Sequence, residues 1–161
     1  MQLTGKEIIE KGIITNHCEE GVQQQGIDVR IVGLKSVSGS GVVPAQGKTT
    51  LPSYDELICN YDGWMLTPGY YEVTLMEGCK IPNNVTLHFK TRSSLVRCGA
   101  LIHSGQFDAG FETDKMGCFL QVINPIRIEK GARIAQAILF ESNEVENLYD
   151  GQFQNDKQRT K

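Results

Sequence analysis

The sequence predicts a mainly β protein, built as a barrel or jelly-roll and preceded by one short helix. Short runs in which apolar and polar residues alternate recur from Ile27 to Phe140, and these runs are rich in β-branched residues. Turn signals that contain Gly, Pro or Asn separate the runs. Many short strands divided by turns are typical of closed or double-sheet β architectures, so we expect one of these.

A capping box marks the helix at the N-terminus. Thr4 is placed to cap the first turn, and Glu7 completes the box three residues later. Ile8 and Ile9 are then expected to face the core, and Gly12 is expected to end the helix.

The expected strands share alternating apolar side chains, and they are the segments 27–34, 71–75, 85–89, 118–123, 126–128 and 133–140. The segment 36–53 is rich in Ser, Gly, Thr and Pro and has no hydrophobic period. We therefore expect it to be a long loop.

Length and composition indicate a single domain of ordinary globular character. The 161 residues suffice for one substantial core, which we assign to residues 1–146. The polar segment 147–161 is expected to be a mobile C-terminal tail and a candidate active-site lid. A formal charge of −3 and a pI near 5.6 argue against a nucleic-acid partner.

The chain shows no signal for a membrane, a disulfide framework or a zinc site. No apolar run approaches the ~18 residues of a membrane span. The first residues lack the apolar core of a signal peptide, so we expect no membrane partner and a cytoplasmic, intracellular location. The five cysteines are widely spaced and include no Cys-x-x-Cys pair, which favours buried free thiols.

The stretch 90–111 concentrates the groups that an anion-binding catalytic site needs. An Arg-Ser-Ser turn and Arg97 supply hydrogen-bond donors and positive charge for an anion. A short Gly-containing hairpin leads to Asp108, a candidate base, and the aromatic residues Phe107 and Phe111 flank it. Donors, a base and aromatic walls are thus expected to lie close together.

Five segments in order resemble the trimeric dUTPase and dCTP deaminase superfamily, and they span nearly the whole chain. They are Gln25-Gly26-Ile27-Asp28-Val29-Arg30, Leu66-Thr67-Pro68-Gly69, Thr91-Arg92-Ser93-Ser94-Leu95-Val96-Arg97-Cys98-Gly99, Gly105-Gln106-Phe107-Asp108-Ala109-Gly110-Phe111, and Gly131-Ala132-Arg133-Ile134-Ala135-Gln136. The resemblance implies a distorted jelly-roll or β-barrel of the dUTPase-like type, assembled as a homotrimer. The Pro-Gly turn is similar to that of the deaminase branch.

The resemblance implies a triphosphate site at the Arg-Ser-Ser segment, with Ser93, Ser94 and Arg97 as ligands. Arg92 either joins them or forms a structural ion pair with Asp28. Asp28 in turn either holds a water molecule of the metal's shell or makes that ion pair. Gln136 is placed near the phosphates or, alternatively, on the polar face of a strand.

The resemblance also implies the reaction. Asp108 matches the acid that orients the water molecule attacking the α-phosphate of dUTP, and Mg²⁺ bound to the triphosphate would assist. Gly105 belongs to the same hairpin, and Phe107 and Phe111 either wall the nucleoside or belong to the core. The tail resembles the deaminase type and contributes three further binding candidates, Tyr149, Gln152 and Phe153.

One position separates hydrolysis from deamination. Deaminases of this superfamily carry a proton-shuttling Glu in a Leu-Glu-aliphatic segment, and Gln121 occupies that place here. Gln has no titratable proton, so it cannot act as the acid and base. We therefore predict dUTP hydrolysis to dUMP and pyrophosphate. The alternatives are dCTP deamination, alone or bifunctional, with Glu112 or Asp114 as the acid, a triphosphatase for a modified pyrimidine, or a silent nucleotide-binding regulator.

Overall fold

A computed structural model describes residues 1–154 of the protein. Over that range the chain forms two short α-helices, thirteen strands and a 3-10 turn. The elements in chain order are α1 (Gly5–Glu10), β1 (Ile14–Thr15), the 3-10 turn (Glu19–Gly21), β2 (Val22–Gln23), β3 (Gly26–Ser38), β4 (Ser53–Glu56), β5 (Gly63–Leu66), β6 (Gly69–Leu75), β7 (Gly78–Lys80), β8 (Val85–Thr91), α2 (Ser93–Arg97), β9 (Ala100–His103), β10 (Glu112–Thr113), β11 (Gly117–Val122), β12 (Ile126–Glu129) and β13 (Arg133–Glu141). The predicted β class is confirmed.

One large antiparallel sheet dominates the fold and curls nearly into a barrel. Its strands follow the order β8-β13-β3-β6-β11-β9, and β2 and β4 both pair with β3. The two end strands approach each other, because the Ile102 N–H of β9 donates to the Thr91 hydroxyl of β8 at 2.9 Å. Two smaller sheets, β1-β7-β10 and β12-β5, complete the architecture.

Strand β3 links the two sides of the barrel and is longer than expected. Its first half pairs with β13, and its second half pairs with β6 and β4. A register shift between Ile31 and Gly33 marks the change of partner, as a β-bulge that bends a strand does. The prediction of a loop over 36–53 is wrong at both ends, because Ser36 to Ser38 extend β3 and Ser53 begins β4. Pairing with β6 and β4 overrides the low strand propensity of serine.

The predicted capping box of α1 is confirmed. The Thr4 hydroxyl accepts from the Glu7 N–H at 3.3 Å, and Glu7 Oε2 accepts from the Thr4 N–H at 2.8 Å. The Glu7 carboxylate accepts from the Thr4 backbone N–H and also, at 2.8 Å, from the Thr4 hydroxyl, and these two hydrogen bonds, the backbone one first, hold the pKa of Glu7 below its usual value. Ile8 is buried and Ile9 is half-buried, so both pack towards the core.

The interior is apolar and holds a few buried acids with partners. Glu77 is fully buried and receives the Arg30 Nε–H at 2.6 Å. Pairing of this kind offsets the cost of taking a carboxylate out of water. The cysteines are free, as predicted, but only Cys79 and Cys118 are buried, and Cys98 is exposed. No helix within residues 1–154 is long and apolar enough to cross a membrane.

Candidate active site

A cavity in the described part of the chain, which we call the acid cavity, has a volume of about 770 Å³. Strands β3, β4, β6 and β11, the loop 104–111 and the tail all supply lining residues. Its lining residues are Lys35, Leu51, Pro52, Ser53, Tyr54, Glu72, Ser104, Gly105, Gln106, Phe107, Asp108, Phe111, Gly117, Cys118, Phe119, Tyr149 and Phe153. Six of the predicted site residues are therefore brought together here.

Asp108 presents an exposed carboxylate to the acid cavity from the loop after β9. Its Oδ1 accepts a hydrogen bond from Gln106 Nε2 at 2.6 Å, which orients the carboxylate. The Phe107 N–H and C=O both bond to Leu87 of β8, so the loop is tied to the barrel immediately before the acid. An oriented, solvent-accessible carboxylate can accept a proton from a water molecule.

The aromatic residues of the loop belong to both the core and the cavity wall. The Phe107 ring meets Phe89 edge-to-face at 5.2 Å and Phe111 at 5.3 Å between centroids. Phe111 is 8% exposed and also contacts the Tyr149 ring at 5.6 Å. Each ring thus packs against the core while one side lines the cavity.

The described part of the tail lies across the loop 104–111. The Tyr149 N–H donates to the Ala109 carbonyl at 2.8 Å, and Gln154 Nε2 donates to the Gly110 carbonyl at 2.8 Å. Gly110 has a φ of +89°, and a Cβ there would lie 2.6 Å from the Leu148 Cβ, so only glycine lets the tail approach this closely.

The tail also reaches the segment between β3 and β4. Gln152 Nε2 donates to the Thr49 carbonyl at 3.0 Å, so Gln152 anchors the tail rather than lining the acid cavity. Two basic residues of the expected tail, Lys157 and Arg159, are further candidates for binding phosphate on the sequence alone, and both lie outside the described residues. The prediction of a mobile tail beyond Gln154 stays a prediction.

The predicted phosphate ligands lie elsewhere, on α2. The Arg-Ser-Ser turn of the prediction is the start of this helix, with Arg92 as its N-cap. We call Ser93, Ser94 and Arg97 the cradle. All three side chains are exposed, and none of them is among the residues that line the acid cavity. One described copy of the chain therefore does not bring the cradle and Asp108 to a common cavity.

Asp28 anchors the base of the cradle through two arginines. Its Oδ2 lies 3.1 Å from Arg92 Nε and 3.3 Å from Arg133 Nη1. The Asp28 side chain is 3% exposed, and this burial raises the pKa of the carboxyl while the two guanidinium groups oppose the rise. Gln136, on β13, is the cross-strand partner of Asp28. The structure thus contains the ion pair that was one of the two alternatives for Arg92.

Gln121 lies on the exposed face of β11, just beyond the acid cavity. Its Oε1 is 2.9 Å from His103 Nε2, and its cross-strand partner is Tyr70. Phe119, two residues earlier on the same face, lines the cavity and stacks on the Tyr70 ring at 5.1 Å. Gln121 therefore extends the surface that carries the cavity wall.

The two acids suggested as substitutes for the deaminase Glu lie apart from the cavity lining. Glu112 is on β10 of the small three-stranded sheet and faces Lys80 at 3.8 Å. Asp114 is an exposed residue of the following turn. Among the residues described, neither lines the acid cavity.

The sequence interpretation missed five residues that line the cavity. These are Lys35, Tyr54, Glu72, Gln106 and Phe119. Gln106 belongs to the segment Gly105–Phe111 that resembles the family and is a polar neighbour of Asp108, so the sequence contained a signal for it. The others lie on four different strands, and only the sheet register brings them together.

The described residues offer no ready-made site for a resident metal ion. No group of three or more His, Cys, Asp or Glu side chains in residues 1–154 is placed to hold one. Asp28, the predicted water-mediated partner, shares its carboxylate with two arginines. This donor set suits a metal that arrives with a phosphate ligand better than one held by the protein alone.

Fold and site together define a jelly-roll-like β protein with an acid-containing cavity of a size that small-molecule sites have. The chain belongs to the dCTP deaminase-like family, whose model matches residues 3–142.

Named relatives agree with this family. The chain is 38% identical over 144 residues to a deoxyuridine 5'-triphosphate nucleotidohydrolase of Methanocaldococcus jannaschii, covering 88% of this chain and 92% of the relative. It is 29% identical over 157 residues to a probable deoxyuridine 5'-triphosphate nucleotidohydrolase of Aeropyrum pernix, covering 96% and 98%.

A solved structure supports the fold. The crystal structure of a 2'-deoxycytidine 5'-triphosphate deaminase from Agrobacterium tumefaciens matches with a TM-score of 0.62 at 17% identity. The match covers 86% of this chain and 47% of that one. The expected dUTPase-like barrel is confirmed.

Proposed function

We propose that this protein hydrolyses dUTP to dUMP and pyrophosphate. The observation that carries the proposal is the Asp108 carboxylate, which is exposed in the acid cavity and oriented by Gln106 at 2.6 Å. The printed names of the curated relatives favour the same activity. Gln121 in place of an acid on the neighbouring surface disfavours deamination.

In the proposed reaction Asp108 orients a water molecule and accepts its proton. The water oxygen forms a bond to the α-phosphorus, and the bond between that phosphorus and the oxygen bridging to the β-phosphate breaks. Pyrophosphate leaves, and dUMP remains. The substrate is dUTP with its Mg²⁺ ion, which neutralises charge on the leaving pyrophosphate.

The cradle binds the triphosphate in this proposal. The Ser93 and Ser94 hydroxyls and the Arg97 guanidinium suit phosphate oxygens, and Arg forms charge-assisted bidentate bonds. Asp28 keeps Arg92 against the base of α2 through the 3.1 Å ion pair. The buried ion pair thereby fixes where the helix starts and where the cradle points.

We further propose that the working enzyme is a homotrimer in which the cradle of one copy faces the acid cavity of the next. This proposal is supported by the separation, within one chain, of the cradle on α2 from the acid cavity that contains Asp108. Val96, in the middle of α2, is 47% exposed, so an apolar side chain lies at the surface between the cradle residues. We propose a cytoplasmic location as well, because the substrate of the proposed reaction is a free nucleotide.

The experiment that tests the activity is incubation of the purified protein with dUTP and, separately, with dCTP, in the presence of Mg²⁺. Chromatography should show dUMP and pyrophosphate from dUTP and no ammonia from dCTP. Ammonia and dUTP from dCTP would establish the deaminase alternative instead. Binding of dUTP with no turnover of any pyrimidine triphosphate would make the protein a silent, nucleotide-binding relative.

A further inference from the structure

A second cavity in the described part of the chain lies at the two-stranded sheet β12-β5. We call it the ribbon groove, and its volume is about 580 Å³. Residues of the segment 56–66 line it together with Arg127 of β12. None of its lining residues lines the acid cavity or belongs to the cradle. The ribbon groove is therefore a separate surface feature that the proposed reaction does not use.

Three large apolar side chains are exposed around the ribbon groove. Ile58 is 80% exposed, Tyr61 is 94% exposed and Met65 is 74% exposed. The buried Trp64 also lines the groove, and its Nε1–H donates to the Leu57 carbonyl at 3.1 Å. A cluster of exposed apolar residues, with aromatic residues and Met at its centre, is typical of a surface that a partner covers.

A tight turn holds the Tyr61 side chain in the solvent. Asn60 and Gly63 exchange two backbone hydrogen bonds, at 2.9 and 3.1 Å, and Tyr61 and Asp62 between them have φ angles of +49° and +63°. Turns with two left-handed residues favour Asn and Gly there, so a Tyr costs conformational energy. Arg127 Nη2 donates to the Tyr61 carbonyl at 2.9 Å and fixes the turn on β12. The exposed ring makes little contact within the described chain that could offset this cost.

The edge of the ribbon groove carries a net negative charge. Glu56 lines the groove and Asp62 follows Tyr61, and both are exposed. Neither carboxylate forms an ion pair within residues 1–154. Arg127 is paired with Glu129, so its charge is already compensated. A complementary occupant therefore carries positive charge next to its apolar groups.

The same charges disfavour a symmetric contact between two copies of the chain. Two ribbon grooves that face each other across a twofold axis would bring together the Glu56 and Asp62 carboxylates of both copies. Like charges across an interface oppose association. A different protein with basic residues beside apolar ones gains both apolar burial and charge complementarity.

We propose that the ribbon groove docks a peptide segment of another protein, in which apolar side chains are flanked by Lys or Arg. The apolar side chains cover Ile58, Tyr61 and Met65, and the basic residues pair with Glu56 and Asp62. An exposed Tyr at the centre of such a surface is the type of residue that contributes most to binding. The inference goes beyond the proposed hydrolysis and does not depend on it.

Trp64 gives a direct measurement of occupancy, because it is the only Trp of the chain and lines the ribbon groove. The probes are three short synthetic peptides that share the same Leu residues and carry Lys, Glu or Ser at all other positions. The Lys peptide should change the Trp64 fluorescence in a saturable titration, with a Kd about 10-fold or more below those of the other two. Higher ionic strength should weaken its binding. An unchanged fluorescence, or equal affinity for the Lys and Glu peptides, would overturn the proposal.

Substitutions in the ribbon groove locate the binding. Tyr61→Ser and Met65→Ser should each raise the Kd of the Lys peptide about 5- to 30-fold, the range for residues that dominate an interface. Val43→Ser, which removes an 86% exposed apolar side chain outside the groove, is the matched control and should leave the Kd unchanged. The double variant Glu56→Lys with Asp62→Lys should prefer the Glu peptide, and a retained preference for the Lys peptide contradicts the proposal. Thermal unfolding midpoints verify that each variant is folded.

Two further measurements test occupants that come from this chain itself. Sedimentation should give the same oligomeric state for the wild type and for Met65→Ser. Dissociation of the variant would identify a second copy as the occupant and overturn the proposal. Deletion of residues 155–161, which include Lys157, Arg159 and Lys161, should leave the Trp64 fluorescence of the free protein unchanged. A changed fluorescence would identify the chain's own terminus as the occupant instead.

Discussion

The acid cavity and the cradle differ in how the fold builds them. The acid cavity is concave and collects residues from four strands, a loop and the tail, so long-range pairing creates it. The cradle is a short helix on an exposed surface, and its residues lie within the 5 positions from Ser93 to Arg97. A contiguous motif can be recognised from sequence, whereas a surface assembled by sheet register requires the structure.

The same difference indicates a division of labour. The cavity supplies an oriented acid and aromatic walls, which suit a nucleoside and its reacting phosphate. The cradle supplies exposed donors and positive charge, which suit the remaining phosphates. If the acid cavity and the cradle form one active site, they do so across copies of the chain. Variants in the two regions should then lose activity in distinguishable ways.

Asp108→Asn should have the largest effect. The amide keeps the hydrogen-bonding shape but cannot accept the proton of the attacking water, so kcat should fall about 10²- to 10⁴-fold. Affinity for a non-hydrolysable dUTP analogue should be nearly unchanged. Steady-state kinetics and calorimetry measure the two quantities, and turnover close to that of the wild type would remove Asp108 from the mechanism.

Arg97→Met should have the next largest effect. Loss of a charge-assisted bond to phosphate should lower kcat/KM about 10- to 100-fold, mainly through KM. The substitution leaves the exposed helix otherwise intact, and Lys90→Met, an exposed residue on the preceding strand, is the matched control. An effect on kcat alone would place Arg97 at the chemical step instead.

A mixture of the Asp108→Asn and Arg97→Met proteins decides whether the halves belong to different copies. After denaturation and joint refolding at equal amounts, about one quarter of the shared sites in a trimer would have both halves intact. Activity should then exceed that of either variant alone. A mixture no more active than its components would show that each chain completes its own site.

The sequence predicted most of the architecture because its signals were local. Alternating runs such as Val85 to Phe89 and the Thr4 capping box form as expected, since each depends on neighbours a few residues away. Strand β4 was missed, because Ser53 to Glu56 has little apolar character and is held by pairing with β3. Glu72 and Phe119 were missed for the same reason, since register alone places them opposite each other.

Arg92→Met should affect stability more than binding. It removes one of the two cations that face the buried Asp28 carboxylate, at 3.1 Å, and leaves Arg133 in place. Loss of one partner of a buried charge destabilises, and because Arg133 remains we expect about 1–3 kcal/mol less free energy of unfolding. Chemical denaturation measures it, with Arg97→Met as the control that should leave stability unchanged.

The pH dependence of this loss has a definite sign. Burial already raises the pKa of Asp28 above its ordinary value of 3.8, and removal of Arg92 should raise it further. The Asp28 carboxyl then binds a proton more readily in the folded state than in the unfolded state. The contribution of this group to the free energy of unfolding therefore rises as pH falls. The deficit of Arg92→Met should therefore shrink from pH 7 towards pH 4, and a deficit that grows in acid would contradict the assignment.

Gly110→Ala should have the smallest effect and should act on the cavity half alone. The added Cβ would lie 2.6 Å from the Leu148 Cβ, at a residue whose φ of +89° already disfavours a side chain. The tail should therefore leave the loop, at a cost of about 1 kcal/mol, which corresponds to roughly a fivefold change in an equilibrium. We expect KM for dUTP to rise by that factor with kcat retained, because Tyr149 and Phe153 leave the cavity wall while Asp108 stays in place.

Gly131→Ala, also at a positive φ of +85° but with open space around the added Cβ, is the matched control for backbone strain. If both variants raise KM equally, strain rather than tail docking is the cause, and the contact between tail and loop has no role in substrate binding.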